Sequence, residues 1–272
     1  MKVFIFGLDS KIGKSLSNQF IKKNFKVSGT SRNKFNISKN IFFFDLESSN
    51  EINFDLSEYD ICIICFGITK IDFNNLNKRY SNKINYYRIS LLLNKIIRFY
   101  DVKIILFSSN LTKIFYENNA HSSIRNNYYA YLKFKIEKKY QGKLAIIRLP
   151  KIIFPNHDLF DFWIESLEKN KVISPYDNCY FSPIYIDDLF SSILCVSDSI
   201  EKKIYDFSPT DEISYYKASL YIAKRLNLNR NLIQPIKNNS IKNFIQKNTL
   251  TNKIFTSYDA IENYIKLKTL ND

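Results

Sequence analysis

A phenol and an ammonium stand four residues apart in Tyr128-Tyr129-Ala130-Tyr131-Leu132-Lys133. On a helix, Tyr129 and Lys133 share one face. A free tyrosine titrates near about 10, and a neighbouring cation favours its phenolate. The spacing therefore predicts a lowered Tyr129 pKa and an acid/base group usable near neutrality. Tyr131 and Lys135 repeat the spacing, but only the Tyr129 pair is continued four residues on by an acid, Glu137. Upstream, the apolar run Asp101–Ser109 ends in two hydroxyls, Ser108 and Ser109. Phenol, ammonium and hydroxyl together make a proton-transfer site for a carbonyl or an alcohol.

Such groups need a scaffold, and the glycines indicate one. The chain has only 5 Gly, and two of them frame Gly7-Leu8-Asp9-Ser10-Lys11-Ile12-Gly13. Before this segment lies Val3-Phe4-Ile5-Phe6, a run suited to a strand covered on both faces. After it, Leu16, Phe20 and Ile21 recur at helical spacing, and a second strand is expected near Lys26–Gly29. This is the start of a βαβ unit. Gly7 permits the tight turn and Gly13 a close helix–strand approach, with the helix N-terminus facing a pyrophosphate. Ser10 stands at the middle glycine position of that pattern, where its hydroxyl is expected to bond a phosphate oxygen.

The second strand ends in Gly29-Thr30-Ser31-Arg32. An acid near this point holds a ribose 2′-hydroxyl in NAD sites. None is adjacent here, and a cation with two hydroxyls suits a 2′-phosphate, so NADP is expected, with NAD as the alternative. Gly67 follows another apolar run, Ile61–Phe66, and would let the backbone pass close to the cofactor. Cys62 and Cys65 lie inside that run and read as small buried hydrophobes. His121 and His157 are isolated, and no metal site is expected.

The chain has 272 residues, 45% of them hydrophobic, which excludes the disordered class. Its net charge of +14 is spread along the whole length rather than clustered, and no nucleic-acid module is visible. Four Cys without framework spacing argue against a secreted disulfide scaffold. No apolar run reaches the roughly 18 residues of a membrane span, so a soluble cytoplasmic protein is expected.

These pieces, in this order, resemble the extended short-chain dehydrogenase/reductase superfamily. The resemblance rests on the glycine turn, Thr30-Ser31-Arg32, Asp45-Leu46, Cys65-Phe66-Gly67 and Phe107-Ser108-Ser109-Asn110. It continues through Tyr129-x3-Lys133-x3-Glu137, Ile147-Arg148-Leu149-Pro150 and Pro183-Ile184-Tyr185-Ile186-Asp187-Asp188-Leu189. Within the superfamily the chain looks like NAD(P)-dependent sugar-nucleotide epimerases and reductases, and most like the dTDP-4-dehydrorhamnose reductase branch. The resemblance implies an α/β fold with a Rossmann-type doubly wound parallel sheet over residues 1–150. A smaller substrate-binding lobe would cover residues 151–272, with about 183–196 packing back on the first.

It further implies Ser109, Tyr129 and Lys133 as catalytic residues, with Ser108 the alternative hydroxyl. Cofactor contacts would come from Gly7, Ser10, Lys11, Ile12, Gly13, Ser31, Arg32, Asp45, Leu46, Phe66, Gly67, Ile68, Tyr129, Lys133 and Pro150. The implied activity is NADP-dependent reduction of a nucleotide-linked 4-keto-deoxysugar, as in surface-glycan or deoxysugar biosynthesis. An epimerase and a non-catalytic NAD(P)-binding regulator are the alternatives. The expected partner is a nucleotide sugar, with no nucleic acid and no membrane; a homodimer is an admissible assembly.

Overall fold

The computed structural model describes residues 1–48, 52–117, 127–238, 249–251 and 254–271. His121 lies outside the described residues. The chain divides into two compact units, Met1–Arg148 with Val196–Tyr205, and Leu149–Cys195 with Asp206–Asp272.

The first unit is built on strands β1 (Lys2–Phe6), β2 (Lys26–Ser31), β3 (Ile41–Phe43), β4 (Ile61–Ile64), β5 (Lys103–Ser109) and β6 (Ala145–Leu149). They join a seven-stranded sheet whose order is β3-β2-β1-β4-β5-β6 followed by Ile204–Asp206. β1 pairs in parallel with both β2 and β4, and β4 with β5. Every residue of β4 and four of five in β1 are buried, the signature of strands covered on both faces.

The crossover helices are α1 (Lys11–Lys22), α2 (Ile71–Leu76), α3 (Lys78–Asn82), α4 (Ile89–Phe99), α5 (Ile114–Glu117) and α6 (Tyr128–Tyr140). α4 buries Ile89, Leu92, Leu93 and Ile96, a stripe at spacings of three and four. Between α3 and α4, residues Lys83–Arg88 form a π-helical turn. The rings of Phe4, Phe6, Phe42 and Phe54 pack over the sheet at centroid separations of 4.8–6.1 Å.

The second unit contains β7 (Ile152–Ile153), α7 (Asp158–Glu168), β8 (Tyr180–Phe181), β9 (Ile184–Tyr185), α8 (Ile186–Val196), β11 (Ile213–Ser214), α9 (Tyr215–Arg225) and α10 (Ser257–Asn271), whereas β10 (Ile204–Asp206) is the outer strand of the seven-stranded sheet. Phe160 anchors its core, with Trp163, Phe181 and Tyr264 around it. Trp163 is buried in this core. His157 caps α7 through Nδ1, and Ser214 caps α9. Asp187 and Asp188 lie in the first turn of α8.

Val196–Tyr205 belongs to the first unit and Pro183–Cys195 to the second. The reason is hydrogen bonding at the sheet edge, where Ile146 donates its N–H to the carbonyl of Lys203 beside β10. No helix among the described residues is long and apolar enough to cross a membrane.

Candidate active site

The sheet order reverses between β1 and β4, the position where open α/β sheets bind ligands beyond the carboxyl ends of their strands. A cavity of about 290 Å³ lies there, near the lower end of the roughly 300–1,000 Å³ of small-molecule pockets. Its walls come from the exits of four strands: Gly7, Asp9 and Ser10 after β1; Thr30 and Arg32 at β2; Phe44 to Glu47 after β3; Cys65 to Ile68 after β4. Tyr80 and Ile84 close it from the helical side.

Of the expected cofactor residues, Gly7, Ser10, Arg32, Asp45, Leu46, Phe66, Gly67 and Ile68 line this cavity. Gly7 holds φ +90° and donates its N–H to Thr30 Oγ1. Gly13 does not reach the cavity: a Cβ there would lie 2.2 Å from the Gly7 carbonyl oxygen, so its role is close packing. Lys11 and Ile12 are in the first turn of α1, whose N-terminal end favours an anion. Pro150 belongs to the other unit and Ser31 is buried away from the lining.

The Ser10 hydroxyl is engaged within the turn. It donates to the Gly7 carbonyl at 2.8 Å and accepts the Gly13 N–H at 2.9 Å, acting as the N-cap of α1. The hydroxyls at the end of β2 are likewise engaged. Thr30 accepts from Gly7, and Ser31 Oγ donates to both oxygens of Asp9 at 2.8 and 2.9 Å.

A buried amide pair fixes the loop after β4. Asn85, in the π-helical turn, accepts the Ile68 N–H at 2.8 Å and donates to the Ile68 carbonyl and to Asn74 Oδ1, each at 2.9 Å. Asn74 donates to the same carbonyl. A π turn changes helical register locally, and here it holds Asn85 against that loop.

Lys133 connects the cavity to the proposed chemistry. Its Nζ donates to the Phe107 carbonyl on β5 at 2.9 Å, and lies 3.9 Å from the point a Cβ on Gly67 would occupy. The ammonium is thus wedged between the exits of β4 and β5, 6.0 Å from the centroid of the Tyr129 ring. Burial lowers the Lys133 pKa to about 8, against the opposing pull of Glu137. Burial also raises Tyr129, to about 12. This corrects the expected lowering: desolvation of the phenol outweighs the distant ammonium. The Tyr129 hydroxyl makes no hydrogen bond among the described residues.

The two serines separate cleanly. Ser108 Oγ donates to Glu137 Oε1 at 2.6 Å inside the core. Ser109 Oγ accepts the Leu111 N–H at 3.3 Å and donates to no described residue. Glu137 also accepts from Thr112, Tyr116 and Arg148, which makes it an anchor for the end of β5.

Sequence reasoning missed Asp9, Phe44, Glu47, Cys65, Tyr80 and Ile84 as cavity lining. Glu47 carried one signal, an acid two residues beyond Asp45. Its Oε2 accepts from the Tyr80 hydroxyl at 2.7 Å.

No protein-family model and no curated protein sequence matches the chain. Solved structures do. A UDP-glucose 4-epimerase from Thermotoga maritima, with UDP-glucose, superposes with a TM-score of 0.79 at 12% identity, covering 100% of this chain and 99% of that one. A dTDP-4-dehydrorhamnose reductase from Bacillus anthracis, in complex with NADP, gives 0.77 at 16% identity, covering 97% of each. A hypothetical dTDP-4-dehydrorhamnose reductase from Sulfolobus tokodaii gives 0.68 at 20% identity, covering 96% and 94%. The chain has the fold of the extended short-chain dehydrogenases/reductases.

Proposed function

Taking that fold as the premise, we propose that the chain binds a nicotinamide dinucleotide and acts on carbon 4 of a nucleotide-linked sugar, reducing a 4-keto group to an alcohol. The observation that carries this reading is the buried Lys133 ammonium beside Gly67, which links the switch-point cavity to Tyr129 and to the end of β5. The residues fit the cofactor: a glycine turn with Gly7 at positive φ, a helix N-terminus and a cavity crossing the strand exits all belong to a dinucleotide cradle.

When bound, the cofactor supplies the hydride for the keto carbon. The protein orients the substrate and manages the proton. Tyr129 is protonated at neutral pH and is the acid that gives its proton to the oxygen of the new alcohol. Lys133 holds positive charge next to the developing oxyanion. Ser109 keeps an O–H available to hydrogen-bond that oxygen, whereas Ser108 is committed to Glu137.

Removing the Tyr129 hydroxyl tests the proposal. Tyr129→Phe preserves shape, and its turnover of dTDP-4-keto-6-deoxy sugars should fall by about 10²–10⁴. Turnover near wild type would refute the assignment. An epimerase is the second reading, favoured by the TM-score of 0.79 to a UDP-glucose 4-epimerase. It predicts UDP-sugar interconversion without net consumption of reduced cofactor.

A further inference from the structure

The end of β2 lacks an adjacent acid in sequence but not in space. Asp9, from the glycine turn, places its carboxylate there. Its Oδ2 accepts the Arg32 N–H at 2.8 Å, Oδ1 accepts from Asn36 Nδ2 at 3.2 Å, and the Ser31 hydroxyl donates to both oxygens. These donors, together with the Asn33 N–H, fix the carboxylate at the end of β2, on the wall of an open hollow.

The surroundings are acidic. A hollow of about 500 Å³ joins the switch-point cavity through shared walls, and is lined by Asp9, Arg32, Asn33, Asn36, Asp45 and Glu47. Its formal balance is three carboxylates against one guanidinium. The guanidinium of Arg32 makes no ion pair among the described residues. A doubly charged group entering this hollow would meet three like charges and one opposite charge, whereas a neutral hydroxyl would meet acceptors.

We infer that Asp9 is the cofactor-specificity residue: it accepts from a ribose hydroxyl of an unphosphorylated adenosine, so the chain uses NAD(H) rather than NADP(H). The inference rests on the proposed dinucleotide site and reverses the expectation drawn from Thr30, Ser31 and Arg32. Of the hydroxyls behind that expectation, Ser31 gives its proton to Asp9, and Thr30 accepts the Gly7 N–H.

The test is direct titration of the full-length protein with NADH and with NADPH, followed by nucleotide fluorescence. Wild type should bind NADH at least tenfold more tightly than NADPH. In Asp9→Asn, which keeps size and loses charge, that ratio should collapse by at least fivefold. If Asp9 only staples the end of β2, the variant weakens both nucleotides equally and the ratio stays put, which overturns the inference. Equal or tighter NADPH binding by wild type also overturns it, while leaving the proposed function standing. If wild type binds neither nucleotide, the proposed function falls and the inference falls with it. The wild-type ratio needs no variant to fold.

Discussion

Replacing Glu137 with glutamine removes one charge from a site that has no access to water. Its side chain is fully buried, and its carboxylate accepts from Ser108 at 2.6 Å, Thr112 at 3.0 Å, Tyr116 at 3.0 Å and Arg148 Nη2 at 2.7 Å. Every one of those partners is a donor, so the new amide NH₂ must face a donor wherever it turns. The hydroxyls can rotate; the planar guanidinium of Arg148 cannot. Breaking a buried pair by removing one partner costs about 3–5 kcal/mol, because the other charge is left uncompensated. For a chain of this size that is on the order of 10 °C in Tm. The assay is urea unfolding followed by circular dichroism, with hydrogen exchange at β5 amides to localise the loss. A double change, Glu137→Met with Arg148→Met, removes both charges and leaves Ser108 and Tyr116 without this acceptor, while Thr112 keeps the Ser109 carbonyl. At about 1 kcal/mol each, it should remain about 2 kcal/mol below wild type. A single-variant loss under about 1 kcal/mol would refute the reasoning, since it would mean that water reaches the pair.

Lys133→Met should be more stable than wild type at pH 7 by about 2 kcal/mol, and the difference should vanish toward pH 10.5. The sign follows from linkage. The folded pKa is about 8, below the ordinary 10.5, so between those values the unfolded chain holds a proton that the folded chain has shed, and wild-type stability rises with pH. Thermal melts at pH 7 and pH 10 check it, and a pH-independent difference refutes it. Gly13→Ala drives a Cβ to 2.2 Å from a backbone carbonyl, so unfolding titrations should show a loss of about 3 kcal/mol, accompanied by loss of dinucleotide binding. Wild-type stability in that variant would mean that α1 can slide on β1.

The scaffold was legible because it depends on local pattern. Val3–Phe6, the glycines at 7 and 13, and the helical stripe after them specify strand, turn and helix with little help from distant residues. The Tyr129–Lys133 spacing likewise survives as one helical turn of α6. What sequence spacing does not carry is burial. It gives the separation of a phenol and an ammonium but not the desolvation that pushes both toward their neutral forms, hence the reversed sign at Tyr129. Asp9 was hidden for a related reason: its meaning depends on Ser31, 22 residues away, and on a turn that folds the two together. Ser10 suits a phosphate oxygen by type, yet the same hydroxyl serves as the N-cap of α1. The outer strand β10 has three residues and follows the polar Glu201-Lys202-Lys203, too little pattern to mark a strand.

That late strand has a consequence for synthesis on the ribosome. β6 is fully buried along its length, yet its outer neighbour in the sheet is made only after about 55 more residues have been added. At roughly 5–20 residues per second, the nascent chain carries an open, apolar β-edge for several seconds. Natural chaperone traffic would be drawn to that interval, and a chain terminated after Pro150 should sediment as aggregate where the full chain stays in the supernatant.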